Sequence, residues 1–340
     1  MIKKLSTNEL KNWLDELAGS GKLYGPRRGD KVWGKVERTD DLASPDDVPF
    51  SPKCVFIPQR QALFECVSVD EVESIVEVEP DVLEGSVLWG LRPCDARALE
   101  MVCRVMNEGE HRDVYFNFVW GRIVRVALGC VEPKPECFCT SFSGGSPFGT
   151  QGVDVMATNL GEHWLLEAIT QRGEELISSF DDATEKDAER LAQVKAEATG
   201  KVDASVPTDI AEEMLTLFDD EHFWKTLGER CQSCGTCTFV CPGCYCFDII
   251  DDETQNTLKR YRIWDSCVFE KFTLTPSGRN PREQKYRRIR QRFMHKLSFY
   301  ALRYDGTQLC VGCGRCIREC PAGIDIREVA GRAESISAED

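Results

Sequence analysis

Histidine is scarce in this chain of 340 residues, and long apolar runs are absent. The few histidines lie far apart, which argues against zinc hydrolase chemistry, because such sites draw on imidazole ligands. The apolar stretches are only as long as strands, so we expect no membrane span. The net charge of −15 argues against nucleic acid as a partner.

Targeting signals and nucleotide-binding motifs are also missing. Residues 1–20 contain lysines but no apolar core, so they predict an amphipathic helix rather than a signal peptide, and we expect a cytoplasmic protein. The glycine-rich stretch SGGSPFG (143–149) lacks the spacing of a phosphate-binding loop. We interpret it as a loop that closes a site formed by cysteines.

Cysteine, by contrast, is abundant, with 18 residues. A secreted disulfide scaffold would be short and rich in loops, whereas this chain is long and most of its cysteines are tightly grouped. In a reducing cytoplasm, such grouping indicates metal binding.

The periodicity of the chain predicts an α+β protein with two domains. Residues 1–205 read as a mixed α/β domain, with strands at 87–91 and 123–129 and a helix from Asp95 to Met106. A strand and the start of a helix are expected within 153–170, and an exposed, charged helix at 181–199. A polar linker at 200–208 precedes a helical domain, residues 206–340, in which no long strand pattern returns. We expect this second domain to be a helical ferredoxin with two clusters.

One internal repeat carries the strongest chemical signal. CQSCGTCTFVCP (231–242) and CVGCGRCIRECP (310–321) share the pattern C-x2-C-x2-C-x3-C-P. In two-cluster ferredoxins, three cysteines of each run hold one [4Fe–4S] cluster and the fourth ligates the other cluster. The predicted ligands are Cys231, Cys234, Cys237 and Cys320 for the first cluster, and Cys310, Cys313, Cys316 and Cys241 for the second.

Paired zinc sites are the alternative, but zinc sites rarely show two complete runs of four cysteines that each end in proline.

The segment between the runs has a helical pattern at 280–304, and that pattern is strongly basic for an acidic protein. These cations could complement anionic clusters or an acidic partner, or they could form a solvated face. Three more cysteines in this segment could be spare ligands, although the packing role is favoured; they are Cys244, Cys246 and Cys267.

Four cysteines of the first domain suggest a third cluster. Cys94 lies between a strand and a helix, Cys130 follows the next strand, and Cys137 and Cys139 lie in the loop after it. Strand ends meet at the sheet edge where ligands bind, and the helix N-terminus at Cys94 favours an anionic cluster. Scattered buried thiols are the alternative. We interpret the remaining cysteines as core or surface thiols; they are Cys54, Cys66 and Cys103.

Several longer stretches resemble the β subunits of sulfhydrogenases and the A subunits of anaerobic sulfite reductases. They span most of the chain from residue 50 onward. The stretches are FIPQRQALFE (56–65), GLRPCDARAL (90–99), the CFC loop (137–139), CPGCYCFD (241–248), WDSCVFEKFT (264–273), NPREQKYRRIRQRFMHK (280–296) and CVGCGRCIRECPAGIDI (310–326).

The resemblance implies an anaerobic, hetero-oligomeric electron carrier without a catalytic site of its own. It would relay electrons between a catalytic subunit and a flavoprotein of the NAD(P)H/FAD type, in a hydrogenase, sulfite reductase or heterodisulfide-reductase-linked complex. It also implies an extra cluster at the four cysteines of the first domain. A self-contained flavin-dependent reductase is the alternative function, and a zinc-binding interaction module is a third.

Overall fold

A computed structural model describes residues 1–69, 72–207, 210–254 and 257–337. Helices and sheets are both present, which confirms the α+β class. The strands are β1 (Ile2–Ser6), β2 (Leu23–Pro26), β3 (Trp33–Lys35), β4 (Arg60–Val69), β5 (Val72–Glu77), β6 (Ser86–Leu91), β7 (Ile123–Leu128), β8 (Val155–Asn159), β9 (His163–Ala168), β10 (Asp181–Asp182), β11 (Phe247–Glu253) and β12 (Thr257–Trp264).

Helices occur in both halves of the chain, and short helices lie at the cysteine motifs. They are α1 (Thr7–Gly19), α2 (Lys53–Phe56), α3 (Pro93–Met106), α4 (Val114–Arg122), α5 (Gln171–Ile177), α6 (Glu185–Gly200), α7 (Ile210–Leu217), α8 (Glu221–Arg230), α9 (Thr236–Phe239), α10 (Lys285–Met294), α11 (Tyr300–Arg303), α12 (Arg315–Arg318) and α13 (Ile326–Ser337). A short π-helix at His295–Phe299 joins α10 to α11.

The larger sheet has the strand order β10-β1-β9-β8-β7-β6-β2-β3 among the described residues. Its central strands β2, β6, β7 and β8 run parallel, so the carboxyl ends of β6 and β7 lie at the same edge. β6 is buried along its whole length, as expected for a parallel strand covered on both faces. This edge is where the chain enters α3 after β6 and the cysteine loop after β7.

Most predicted elements are confirmed. The strands predicted at 87–91 and 123–129 are β6 and β7, and the helix predicted from Asp95 is α3. The charged helix is α6. Residues 153–170 contain two strands, β8 and β9, instead of one strand and the start of a helix, because Thr170 caps α5 and the helix begins only at Gln171. The N-terminal helix forms, but a strand, β1, precedes it. The predicted linker is irregular up to residue 207, and residue 208 lies outside the described residues.

The expectation that no long strand pattern returns in the second half is wrong. β11 and β12 form a hairpin, and β12 pairs with β4 in a second sheet of order β11-β12-β4-β5. β11 is mostly exposed on both faces, so it lacks the alternation that marks a half-buried strand. The division at 205/206 stays a prediction, and this strand pairing crosses it.

Two apolar cores flank the cysteine motifs. One packs α3 and α4 against β6 and β7, with Leu99 and Phe116 fully buried. The other packs α7, α8, α10 and α13 together around Trp224, whose indole N–H donates to the Leu217 carbonyl. Among the described residues, no helix combines the length and the apolar character that crossing a bilayer would require.

Candidate metal centre

The first set of predicted ligands lines one cavity. Cys231, Cys234 and Cys237 come from the first motif, and Cys320 reaches the same cavity from the second. Gly235 has φ 77°, a left-handed conformation that favours glycine, and it begins the short helix α9 that carries Cys237. Cys234 is exposed, so this set reaches the protein surface.

The second set lies deeper. One stretch of the second motif carries Cys310, Cys313 and Cys316. Cys241, from the first motif, interacts electrostatically with all three. Burial raises the pKa of Cys310 to about 12 and raises the pKa of Cys316 well above its ordinary value. Desolvation therefore disfavours thiolates here, and ionised sulfur needs nearby positive charge. Gly314, with φ 68°, begins α12 as Gly235 begins α9, so the two motifs share one local fold.

The third set also converges. Cys94 is in the first turn of α3, Cys130 follows β7, and Cys137 and Cys139 lie in the next loop. All four thiols line one cavity at the carboxyl edge of the parallel strands. Burial raises the pKa of Cys130 to about 11 and that of Cys139 to about 12. The structure thus brings these thiols together, while their role as ligands stays a prediction.

The loop of the third set packs directly on the loop of the second. The Phe138 N–H donates to the Gly312 carbonyl at 2.8 Å, and the Cys137 Sγ lies 3.8 Å from the Cys313 carbonyl oxygen. Gly312 has φ 64°, and a Cβ there would lie 2.5 Å from the Phe138 carbonyl. Only glycine fits this contact, which ties the two sets together.

A buried ion pair also joins the two regions. The Arg315 guanidinium donates to the Asp95 carboxylate, with Nη2 and Oδ2 at 2.9 Å. The Asp95 side chain is fully buried and that of Arg315 is 7% exposed. Arg315 interacts electrostatically with both Cys94 and Cys313, so its charge serves the second and third sets together.

The basic helix α10 and the π-helical turn after it direct several of their cations inward. Arg288, Arg292 and Lys296 are buried, so the solvated-face interpretation is wrong for them. The Lys285 ammonium donates to the Cys231 carbonyl at 3.1 Å, and Arg292 donates to the Cys237 carbonyl at 3.3 Å. Although burial lowers it, the pKa of Lys296 is held above its ordinary value by the Cys241 and Cys244 sulfurs. The remaining cations of this segment include the exposed Arg279 and Arg287.

These buried cations fit anionic clusters. Arg292 Nε and Nη1 and the Lys296 Nζ are buried without a hydrogen-bond partner in the described part of the chain. Arg292 interacts electrostatically with Cys237 of the first set and Cys316 of the second. A buried unpaired cation is costly, so a negatively charged group between these thiols would stabilise the fold. The donor set, sulfur only, also suits iron–sulfur clusters.

No three His, Cys, Asp or Glu side chains in the described ranges are close enough together to hold a single metal ion. The first and third sets instead each line a larger cavity, which suits a cubane, because a cubane distributes its ligands over four irons.

Sequence reasoning missed two cations at these sites. Arg315 lies within the second motif, but its partner Asp95 is distant in sequence. Lys53 is on the short helix α2, is 4% exposed and donates to the carbonyls of Thr238 and Cys244 at 2.8 and 2.9 Å. Lys53 is a lone lysine among the mostly apolar residues PFSPKCVFI (49–57), and no periodic pattern there indicates its contacts, so only the fold could place it.

Comparisons with known proteins agree with the motifs. Residues 230–324 match a family described as a 4Fe–4S dicluster domain. Over 334 residues, the chain is 28% identical to the sulfhydrogenase 2 subunit beta of Pyrococcus furiosus, and the alignment covers 95% of each chain. No solved structure matches. The resemblance inferred from the sequence is therefore confirmed, and iron–sulfur chemistry is supported for the C-terminal part of the chain.

Proposed function

We propose that the chain is an iron–sulfur electron-transfer subunit of a multi-subunit oxidoreductase. It would relay electrons between a catalytic subunit and a flavoprotein subunit, in a complex of the hydrogenase, sulfite reductase or heterodisulfide-reductase-linked type. The likeness to a sulfhydrogenase β subunit over nearly the whole chain supports this role. The chain itself would make and break no substrate bond.

One observation carries the proposal, namely that the three thiol sets adjoin one another. Cys316 of the second set also lines the cavity of the first, and Cys313 of the second set lines the cavity of the third. The second set therefore lies between the other two. Such a continuous row of sites is what an electron relay requires.

The side chains around the sets have defined tasks in this proposal. When bound, each cluster supplies one-electron chemistry. Cys231, Cys310 and their partners would hold the irons, while Arg292 would offset negative charge between the first two sets and Lys296 that of the second set. Apolar side chains of α10 and α13 limit water access to the first set, whereas Cys234 stays exposed on the side where a partner could bind.

The decisive experiment compares iron and acid-labile sulfide in wild type, Cys137→Ala and Cys66→Ala, prepared anaerobically. Cys137 belongs to the third set, whereas Cys66 lies on β4 and belongs to none. We expect the three sets together to hold about twelve irons, with about four fewer in Cys137→Ala and none lost in Cys66→Ala. EPR of the reduced proteins should show the corresponding loss of signal.

Each failure has a separate meaning. A colourless wild type without sulfide would contradict the whole proposal. Equal iron in Cys137→Ala and Cys66→Ala would contradict only the third cluster. Bound flavin in the purified chain would instead favour the self-contained reductase.

A further inference from the structure

A loop with four cations leads into α10 and touches the first thiol set at both of its ends. This basic loop comprises residues 269–285. At its start, the Phe269 ring packs so closely on Gly235 that a Cβ on the glycine would lie 2.7 Å from the ring. At its end, the Lys285 ammonium donates to the Cys231 carbonyl at 3.1 Å. The basic loop therefore lies against the turn that carries the first three predicted ligands.

Hydrogen bonds across the basic loop hold it in this position. The buried Arg288 of α10 donates to the carbonyls of Val268 and Arg282, both at 3.1 Å. The Asn280 side-chain amide donates to the Glu270 carbonyl at 2.6 Å. These bonds connect the beginning of the loop to its end, so its charged side chains stay beside the first set.

The charge of the basic loop is opposite to that of the whole protein. The loop contains four cations and two carboxylates, whereas the net charge of the chain is −15. Lys271 and Arg279 are exposed. None of the four cations forms an ion pair with a carboxylate in the described part of the chain. The four are Lys271, Arg279, Arg282 and Lys285.

The basic loop also adjoins an exposed ligand and carries an exposed apolar side chain. Cys234 precedes Gly235, and it alone is exposed among the eighteen cysteines, all of which lie in the described ranges. Leu274, in the middle of the loop, is 46% exposed. Protein interfaces combine apolar contacts with a polar rim, and an electron-transfer interface also needs a cofactor near the surface. All of these features meet at this place.

The surface beside the third set differs, because three of its cations already have carboxylate partners. Each of these ion pairs includes a residue that lines the cavity of the third set or lies next to one of its cysteines. The pairs are Arg92–Asp46 at 2.6 Å, Lys201–Glu132 at 2.6 Å and Arg318–Glu136 at 3.3 Å. A cluster of unpaired cations thus distinguishes the surface at the first set.

We propose that the basic loop is the docking surface for an acidic electron-transfer protein, whose carboxylates surround its own cofactor and face Lys271, Arg279 and Arg282. Leu274 would supply the apolar contact at the centre. Complementary charge accelerates the encounter and orients the partner, so that its cofactor would face the cluster at Cys234. The inference rests on the proposed function, because it requires a cluster at the first set.

The test measures electron transfer from a small acidic flavodoxin, used as its anionic hydroquinone, to the oxidised full-length holoprotein. One electron passes from the flavin to the chain, which leaves the neutral flavin semiquinone and a reduced cluster, and no bond is made or broken. Anaerobic stopped-flow absorbance of the semiquinone gives the second-order rate constant. The loop variant is Lys271→Glu/Arg279→Glu. The control is Arg112→Glu/Lys186→Glu, which changes the net charge equally at two exposed positions of the first domain.

At low ionic strength, we expect the loop variant to react about tenfold more slowly than wild type and the control to stay within about twofold of it. At about 1 M salt, where the screening length is about 3 Å, the three rates should converge. Iron and sulfide contents should be equal in all three proteins. Should the double loop variant lose iron, Lys271→Glu against Lys186→Glu provides the same comparison.

Equal rates for the loop variant and the control would overturn the inference, and so would a wild type that accepts no electron from the flavodoxin. A wild-type dimer in light scattering that the loop variant alone loses would also overturn it, because a second copy would then cover this surface. Wild type without iron would defeat the proposed function as well. Wild type that contains iron and reacts no faster than the loop variant would defeat this inference alone.

Discussion

The buried ion pair between Asp95 and Arg315 offers the sharpest test of how the two regions are joined. Asp95→Asn removes the negative charge but preserves the shape of the side chain. Its amide oxygen can still accept the hydrogen bond from the Arg92 backbone N–H, which Asp95 accepts at 3.2 Å. The substitution therefore isolates the loss of charge opposite Arg315.

The burial of this ion pair sets the expected loss in the free energy of unfolding. Asp95 has a fully buried side chain and that of Arg315 is 7% exposed, so the remaining guanidinium would be left buried without a counter-charge. Breaking such a pair costs about 3–5 kcal/mol in the free energy of unfolding. We expect guanidinium denaturation of Asp95→Asn, followed by circular dichroism, to show a loss of that size.

The exposed pair Arg104–Asp305 provides the control. Its side chains are 48% and 83% exposed at an N–O distance of 2.6 Å, so Asp305→Asn should cost at most about 1 kcal/mol. In Asp95→Asn/Arg315→Met, both charges are gone, and we expect much of the lost stability to return. If Asp95→Asn proved as mild as Asp305→Asn, the claim that this pair joins the two regions would be refuted.

Two further predictions concern the cluster loops. Gly312→Ala should loosen the third set, because its Cβ would lie 2.5 Å from the Phe138 carbonyl, and iron analysis should show a loss of about four irons. Gly323→Ala has a similar φ of 62° but no atom within 4 Å of its Cβ, so it controls for backbone strain, and equal iron loss in both would contradict the docking argument. Lys296→Met should lower the reduction potential of the second set on the order of 60 mV, because a buried cation favours the reduced, more negative cluster. A redox titration followed by EPR measures this, with the exposed Arg279→Met as control, and an equal potential in both variants would show that Lys296 has no electrostatic role.

Local patterns in the sequence explain most of the successful predictions. The hydrophobic pattern that predicts β6, β7 and α3 lies within a few neighbouring residues in each case. The cysteine repeat is equally local, because three of its four thiols surround one turn. The left-handed glycines Gly235 and Gly314 sit at equivalent positions of both motifs.

Elements that depend on distant partners were harder to predict. β11 is mostly exposed, so its pairing with β12, and that of β12 with β4, left little periodic signal. Lys53 reaches the Cys244 carbonyl across a separation of 191 residues, and no pattern around it in sequence indicates that partner.

The sequence by itself determined the candidate ligand type, the repeated spacing and the strands and helices that carry the cysteines, because these follow from neighbouring residues and short-range backbone preferences. Only the tertiary structure decided which thiol sets adjoin, which cations are buried beside them and that Asp95 meets Arg315. Those contacts join residues far apart in the chain, and they are selected by the packing of the whole fold, where burial makes an unpaired charge costly.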